Sequence, residues 1–540
     1  MPRYTKEEKK ILQNFFTSTE KDIFCLINLP EVIKGTLFSR YSRTDKDVRR
    51  LFLDDFYLSN EVGAMLQKQN SEKKTTVNLQ KAEDFYERIL VGYGDDSIAE
   101  LGGVHIAVEN ISNVVVKIIQ DARIGISPLE KSSRYVFFDQ KDDKGRYKYY
   151  RDSVLLDSKY GKEYTAFMDR IFVFYTHTVR TLYDYLLKTE TKPDGVPDIA
   201  FKASCRAKAC DVVRYILPMG TQTNTGLYGN GRAFEYLLTK MLAHPLEEVR
   251  MTAESMNEEL RKVIPAFVKR ADNDRGKRYQ QYLQASQAEL TKLSKKFREN
   301  GPKKPLSAKN EIKLLHYDKK ALDKVVSSLL FAKSTLSLKE LNKEVKDMGQ
   351  KKKQDIFSSF VKLRENRHNK MPRSLENTTY TFEIISDIGA FRDVHRHRML
   401  SQERQPYTTA LGYVIPEEIK KVGLVHEYEE IMTTAHDLFN KINKILPEQA
   451  QYVVPFGFRI RYYFTMNLRE AVHFTELRSI SQGHPSYREI AQKIASSIIK
   501  VHPDFKPLFG FVDYKEYALE RLEAFNKIAQ KAEKLGIQPF

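Results

Sequence analysis

Arg214-Tyr215-Ile216-Leu217-Pro218, then eleven residues, then Asn230-Gly231-Arg232: this pattern returns later in the chain as Gln451-Tyr452-Val453-Val454-Pro455, eleven residues, Asn467-Leu468-Arg469. The spacing from proline to asparagine is the same in both copies, and each runs on into helical periodicity, AFEYLLTKML in the first and EAVHFTELRSI in the second. Two homologous domains in one polypeptide explain the match. A second pair of segments lies upstream in the same order. Glu100 is followed by LGGVHIAVENISNVVVKIIQDAR, ending at Arg123, and Glu376 by NTTYTFEIISDIGAFRDVHRHR, ending at Arg398. Each shows strand-like alternation, then an apolar helix-like stretch, then an arginine. Mixed α and β is therefore the expected fold class.

Between the halves, residues 271–308 are polar and charged, helical in pattern, and close in a Gly-Pro-Lys-Lys-Pro breaker. This places an N-terminal domain at 1–270, a charged linker at 271–308 and a C-terminal domain at 309–540. The second half opens with NEIKLLHYDKKALDKVVSSLLF, which predicts a strand and then an amphipathic helix. A chain of 540 residues agrees with two domains, since single cores rarely outgrow about 250 residues.

Hydrophobic residues at 41%, with 30 Tyr and 31 Phe, supply enough apolar surface for packed cores and argue against disorder. No apolar run has signal-peptide or membrane-span length, which points to a cytoplasmic protein without a membrane partner. Cys25, Cys205 and Cys210 cannot form a disulfide framework and lack metal-site spacing; they are expected to be reduced, buried and inert. No His/Cys/Asp cluster with metal-ligand spacing is visible, and Asp95-Asp96 reads as a turn. The formal charge of +18 favours anionic partners without choosing among nucleic acid, a phosphorylated small molecule and an acidic surface. Part of the excess sits in runs such as Lys292, Lys295 and Lys296 or Lys351–Lys353, which read as solvated faces.

The sharpest local feature is His395-Arg396-His397-Arg398, followed by Met399-Leu400-Ser401-Gln402-Glu403. Guanidinium groups engage phosphate or a planar carbonyl edge through forked donors, and histidine can donate or accept. The run follows the apolar stretch FEIISDIGAF, so it begins where the chain leaves a core. Such a cluster suits a phosphorylated heteroaromatic ligand, with Glu403 either accepting from a ligand N–H or balancing the arginines. GYGDD and GNGR are too short and misplaced for a dinucleotide fingerprint.

Glu376 and Arg398 with twenty-one residues between them, and Arg-His-Arg-x-x-Ser before a Glu, resemble the signature of flavin-dependent thymidylate synthases. The resemblance extends through Asn467-x-Arg469, Glu476-Leu477-Arg478 and SYREIAQKIASSI after His484, covering most of residues 370–500. In the first half it runs from Gly94-Asp95-Asp96-Ser97-Ile98-Ala99-Glu100 through Ser132-Ser133-Arg134-Tyr135 to Arg214 and Asn230-Gly231-Arg232. There Asp121-Ala122-Arg123 stands in place of Arg-His-Arg. In the second half Gln402-Glu403-Arg404-Gln405-Pro406-Tyr407 is shorter than the family's segment, and Gln451 replaces its nucleotide-binding arginine, which Arg214 retains.

The resemblance implies that each half is an α/β (α+β) unit, a twisted sheet with helices packed on it, and that the chain carries out reductive methylation of dUMP to dTMP, with FAD as cofactor and NADPH and methylenetetrahydrofolate as co-substrates. It assigns Arg396, His397, Arg398, Asn467, Arg469 and His473 to FAD, and Arg214, Glu403 and Arg478 to dUMP. Ser401 carries no covalent role, and no protein nucleophile is required. Because the family builds its sites between subunits of a tetramer, a homodimer of this tandem chain is expected to imitate that assembly. Two other readings compete. One is a non-catalytic or re-purposed flavin- and nucleotide-binding paralogue, favoured by Asp121-Ala122-Arg123 and Gln451. The other is a basic nucleic-acid-binding protein, disfavoured by the lack of a recognition module.

Overall fold

The computed structural model describes residues 4–42, 44–57, 99–299 and 309–538. The expected turn at Asp95-Asp96 and the Gly-Pro-Lys-Lys-Pro breaker lie outside these residues. In chain order the first half runs β1 (Gly103–Ser112), α1 (Asn113–Gln120), β2 (Ile126–Glu130), α2 (Gly161–Thr189), α3 (Asp198–Val213), β3 (Gln222–Asn230), α4 (Gly231–Leu242) and α5 (Asp274–Glu299). The second half runs β4 (Glu311–Tyr317), α6 (Ala321–Phe331), β5 (Thr379–Asp387), α7 (Ile388–Val394), β6 (Ser401–Arg404), α8 (Val425–Asn443), β7 (Arg459–Asn467), α9 (Leu468–Arg478) and α10 (Pro485–Val501).

The two sheets repeat one topology. The first is ordered β1-β3-β2 and the second β4-β5-β7-β6, so β5, β7 and β6 stand in the order of β1, β3 and β2, with β4 an extra edge. In both, the strand after the arginine segment pairs antiparallel with the strand that ends in asparagine: Glu130 opposite Thr225, Arg404 opposite Tyr462. The strand-then-helix expected from NEIKLLHYDKK onward is β4 and α6.

The identical proline-to-asparagine spacing has a mechanical origin. Eleven residues carry the chain along one strand, and the asparagine then caps the next helix. Asn230 Oδ1 accepts the amide of Ala233 at 2.8 Å, and Asn467 Oδ1 accepts that of Glu470 at 2.8 Å. The arginine two places on reaches back to the glutamate that opens the upstream motif. Arg232 pairs with Glu100 at 2.7 Å and Arg469 with Glu376 at 3.0 Å.

The chain forms two compact units, the first made of residues 1–111, 115–130 and 223–303, the second of 112–114, 131–222 and 304–540. Residues 131–222 of the first repeat thus fold with the second repeat. Inside the second unit the two proline motifs meet as an antiparallel strap. The amide of Gly457 donates to Tyr215 O at 2.8 Å and that of Gly220 to Tyr452 O at 2.8 Å; the amide of Phe456 donates to Leu217 O and that of Met219 to Val454 O, both at 2.9 Å. Each bond has its mate when the two motifs are exchanged, with the bridge between Pro218 and Pro455 at the centre. This is an isologous contact made within one polypeptide. Around it the unit is a packed core: Tyr215, Ile216, Leu217, Tyr452, Val453, Val454 and Phe456 are buried, and α2 adds Tyr164, Phe167, Met168, Ile171 and Phe172 at helical spacing.

Two expectations are corrected in part. Cys205 and Cys210 are buried, and burial pushes their thiols up to about 11 and about 12, but Cys25 is exposed. Lys353 leaves its solvated run and is buried against Asp323, 2.7 Å away, on the inward face of its helix. The charged stretch 271–308 contains one continuous helix, α5, whose first turns pack on α4.

Gly220 and Gly457 sit at matched places in the strap where a side chain has no room. A Cβ on Gly220 falls 2.9 Å from Tyr452 O, and one on Gly457 falls 2.7 Å from the Tyr428 hydroxyl and 3.1 Å from Tyr215 O. Gly457→Val should destabilise the second unit by about 1–3 kcal/mol, the ordinary cost of overpacking. Gly349→Val, where a Cβ meets nothing within 4 Å, should not. Urea unfolding of both variants checks the difference.

Candidate functional site

The second unit concentrates charge where helices from both repeats meet the strap. The last turn of α3 presents Asp211 just before Arg214, and α7 presents Asp393 just before Arg396. Asp393 is the hinge of the arrangement: one carboxylate oxygen takes Arg214 Nη1 at 2.9 Å and the other takes Arg396 Nη2 at 2.6 Å. Asp211 binds Arg134 in a fork, Nε at 2.8 Å and Nη2 at 2.9 Å, and also receives Arg521 Nη2 at 2.5 Å. Arg134 Nη1 continues to the Tyr487 hydroxyl at 2.7 Å, and the Arg478 guanidinium lies 5.8 Å from the Tyr487 ring centroid. Arg478 Nε donates to His397 Nε2 at 2.9 Å, and His397 Nδ1 donates to Glu470 Oε1 at 2.7 Å. Arg134, Arg214, Arg396, Arg478 and Arg521 thus gather around Asp211, Asp393 and Glu470, leaving cationic excess.

Burial and these pairings set the protonation states. Burial opposes the charge on Asp211, but Arg134 and Arg521 outweigh it and hold the carboxyl below the usual range. Asp393 is likewise held well below by Arg214 and Arg396 against its burial. Burial and the Arg478 charge drive His397 well below the ordinary histidine value, and burial with Arg214 does the same to His484. His397 is therefore neutral with its proton on Nδ1, which lets Nε2 accept from Arg478. Burial raises Glu470 above the ordinary carboxylate value. Burial also lowers Arg478, with Arg396 adding to the effect.

The residues singled out in the sequence fall into three places. Arg214, Arg396, His397 and Arg478 join the cluster just described; His473 lies beside it, its ring centroid 5.8 Å from that of His397. Arg398 and Glu403 are exposed beyond it, Glu403 on β6 opposite Tyr463. Asn467 and Arg469 are engaged locally, Asn467 as the cap of α9 and Arg469 between Glu376 and the Met371 carbonyl at 2.7 Å. Asp211, Asp393, Glu470, Tyr487 and Arg521 were not singled out. A signal for the two aspartates exists in the sequence: each stands three residues before one of the cluster's arginines, Asp211-Val-Val-Arg214 and Asp393-Val-His-Arg396. Among the described residues no group of three or more His, Cys, Asp or Glu side chains is placed to hold a metal ion, and no helix is long and apolar enough to cross a membrane.

Two stretches, 55–266 and 313–504, each match the family described as thymidylate synthase complementing protein, and the chain belongs to that family with two tandem domains. It is 40% identical over 523 residues to a UPF0159 protein of Chlamydia pneumoniae, covering 96% of this chain and 97% of that one. It is 31% identical over 172 residues to the flavin-dependent thymidylate synthase of Pyrococcus furiosus, covering 28% of this chain and 70% of that one. A solved structure of the UMP/dUMP methylase PolB from Streptomyces cacaoi matches with a TM-score of 0.30 and 18% identity, over 39% of this chain and 100% of that chain.

Two outcomes follow from the buried charges. His397 and His484 bind fewer protons folded than unfolded between their depressed native values and the ordinary histidine value. Stability should therefore be level above about pH 6.5 and fall as the pH drops below it. Urea unfolding at pH 7.5 and 5.5 measures this, and His397→Gln should reduce the difference. Asp393→Asn strips the partner from two guanidiniums, of which Arg214 is fully buried. It should cost about 3–5 kcal/mol, the scale for breaking a buried pair from one side; Arg373→Ala, at an exposed pair, serves as the control.

Proposed function

We propose that the chain is a flavin-dependent thymidylate synthase that converts dUMP to dTMP, binding FAD and using NADPH and methylenetetrahydrofolate. The Asp393 bridge carries the reading, because it ties Arg214 of the first repeat to Arg396 of the second in one cationic cluster. Both ligands carry a planar heteroaromatic ring and phosphate, and the donors suit them. Arg214 keeps Nε and Nη2 buried without a hydrogen-bond partner among the described residues, and Arg478 has no hydrogen bond there from its Nη atoms. Arg396, His397, Arg398, Asn467, Arg469 and His473 would hold the flavin, and Arg214, Glu403 and Arg478 the nucleotide.

A bound flavin supplies the hydride that completes the methyl group. The protein's part is orientation and charge. His397, with both ring nitrogens engaged, fixes the plane of Arg478 and is not free to shuttle protons. Arg214 and Arg396, held by one carboxylate, are pre-positioned for phosphate or a uracil carbonyl. Cys205 and Cys210 take no part, since burial keeps their thiols protonated at neutral pH. The working assembly in this proposal is a homodimer of the tandem chain.

One observation favours the second reading, a re-purposed family member. Arg134, Arg521 and Arg469 are already engaged by carboxylates and carbonyls of the chain itself, so fewer guanidiniums face a ligand. An assay separates the two: the visible spectrum after addition of FAD, then dUMP-dependent dTMP formation with methylenetetrahydrofolate and NADPH. The synthase makes dTMP, and Arg396→Ala should lower its turnover by at least about a hundredfold, the usual scale for losing one electrostatic donor. Arg214→Ala should weaken dUMP binding far more than flavin binding. Bound flavin without product supports the re-purposed protein.

A further inference from the structure

The first unit holds a cavity that the proposed reaction does not use. Its volume is 690 Å³, within the range of about 300–1,000 Å³ usual for small-molecule sites. α4 contributes Arg232 and Tyr236, the turn before α5 contributes Arg270, and α5 itself contributes Arg275 and Tyr279. The stretch that reads in the sequence as a linker therefore forms one wall of a pocket.

The wall is built to fixed dimensions. A Cβ on Gly276 would come within 2.2 Å of the Arg270 carbonyl oxygen, so the first turn of α5 lies directly on the backbone of 270–271. Gly125, also lining the cavity, has φ +88°, a conformation that side chains disfavour, and a Cβ there would meet Ala233 Cβ at 2.6 Å. These close approaches set Arg275 and Tyr279 opposite α4.

The lining has two chemistries. One is aromatic: Tyr236 and Tyr279 stack with ring centroids 6.4 Å apart and planes 26° from parallel, and Tyr282 continues the ladder at 6.1 Å and 11°. Tyr236 remains 50% exposed, leaving ring surface to cover. The other is cationic. Arg232 is balanced by Glu100 at 2.7 Å and Arg270 by Glu235 at 3.0 Å, while Arg275 is exposed and has no carboxylate partner among the described residues. Lys240 adds charge 4.2 Å from the Tyr236 ring centroid. Tyrosine faces accept planar rings, and a surplus guanidinium takes a phosphate through its forked donors.

We propose that this cavity is a second ligand site, for a planar heteroaromatic ring bearing a phosphate and of mononucleotide size. Nucleoside monophosphates and flavin mononucleotide share that chemistry. The site lies wholly within the first unit and does not depend on the arginine cluster of the second.

The test is equilibrium dialysis of the full-length chain against AMP and, separately, FMN. Saturable binding of about one equivalent is expected for one probe, and its identity tells nucleoside from flavin. Arg275→Gln and Tyr236→Ala, both at exposed side chains, should each weaken it about tenfold or more with an unchanged melting temperature. The same binding should persist in Arg396→Ala, which separates this site from the proposed synthase site. Absence of saturable binding of either probe, or affinity unchanged in both pocket variants, overturns the proposal.

Discussion

The exchange of backbone hydrogen bonds between the two proline motifs is the constraint on which the second unit depends. Four amides and four carbonyls, paired about the bridge between Pro218 and Pro455, join segments more than two hundred residues apart in sequence. Each is a buried polar group that needs its mate, so the register is fixed: sliding either segment would strand several of them in a packed interior. From this strap the chain runs into β3 and β7, and just before it come α3 with Asp211 and the short turn with Arg214. The charged cluster is placed by the same bonds that join the repeats.

The backbone symmetry of the strap is not matched by its side chains. Where the first motif has Asp211 and Arg214, the second has Glu448 and Gln451. Gln451 donates to the Glu448 carbonyl at 3.1 Å and to its carboxylate at 3.4 Å, and burial alone raises Glu448 above the ordinary carboxylate value. One copy is thus ion-paired and the other rests on local hydrogen bonds. The first copy's Arg214 crosses to Asp393 of the second repeat, giving the second unit one strongly cationic locus.

Much of this was legible in the sequence, because it is written in spacing. The eleven-residue interval is a strand plus a capping asparagine, and both features have fixed lengths, so the repeats and their order of elements could be read directly. The Arg-His-Arg run stood out by composition, and Arg214 by its place in the repeat. The carboxylates that bind these arginines were harder to see. Asp393 meets Arg214 from 179 residues away and Asp211 meets Arg521 from 310, distances over which periodicity carries no information. Lys353 shows the same limit at short range: it looks like its neighbours Lys351 and Lys352, and only packing against Asp323 sets it apart. α5 is helical as its pattern suggests, but its polar composition does not show that its first turns line a cavity.

In a homo-oligomer every substitution at a two-fold contact appears twice, and a change that helps at one end must be tolerated at the other. Joining the two motifs in one polypeptide removes that coupling. Arg214 can be kept for its crossing to Asp393 while the matched position carries Gln451, with no change to the backbone bonds between them. The strap therefore acts as a symmetric frame on which each half can diverge separately, and the two units need not serve the same ligand.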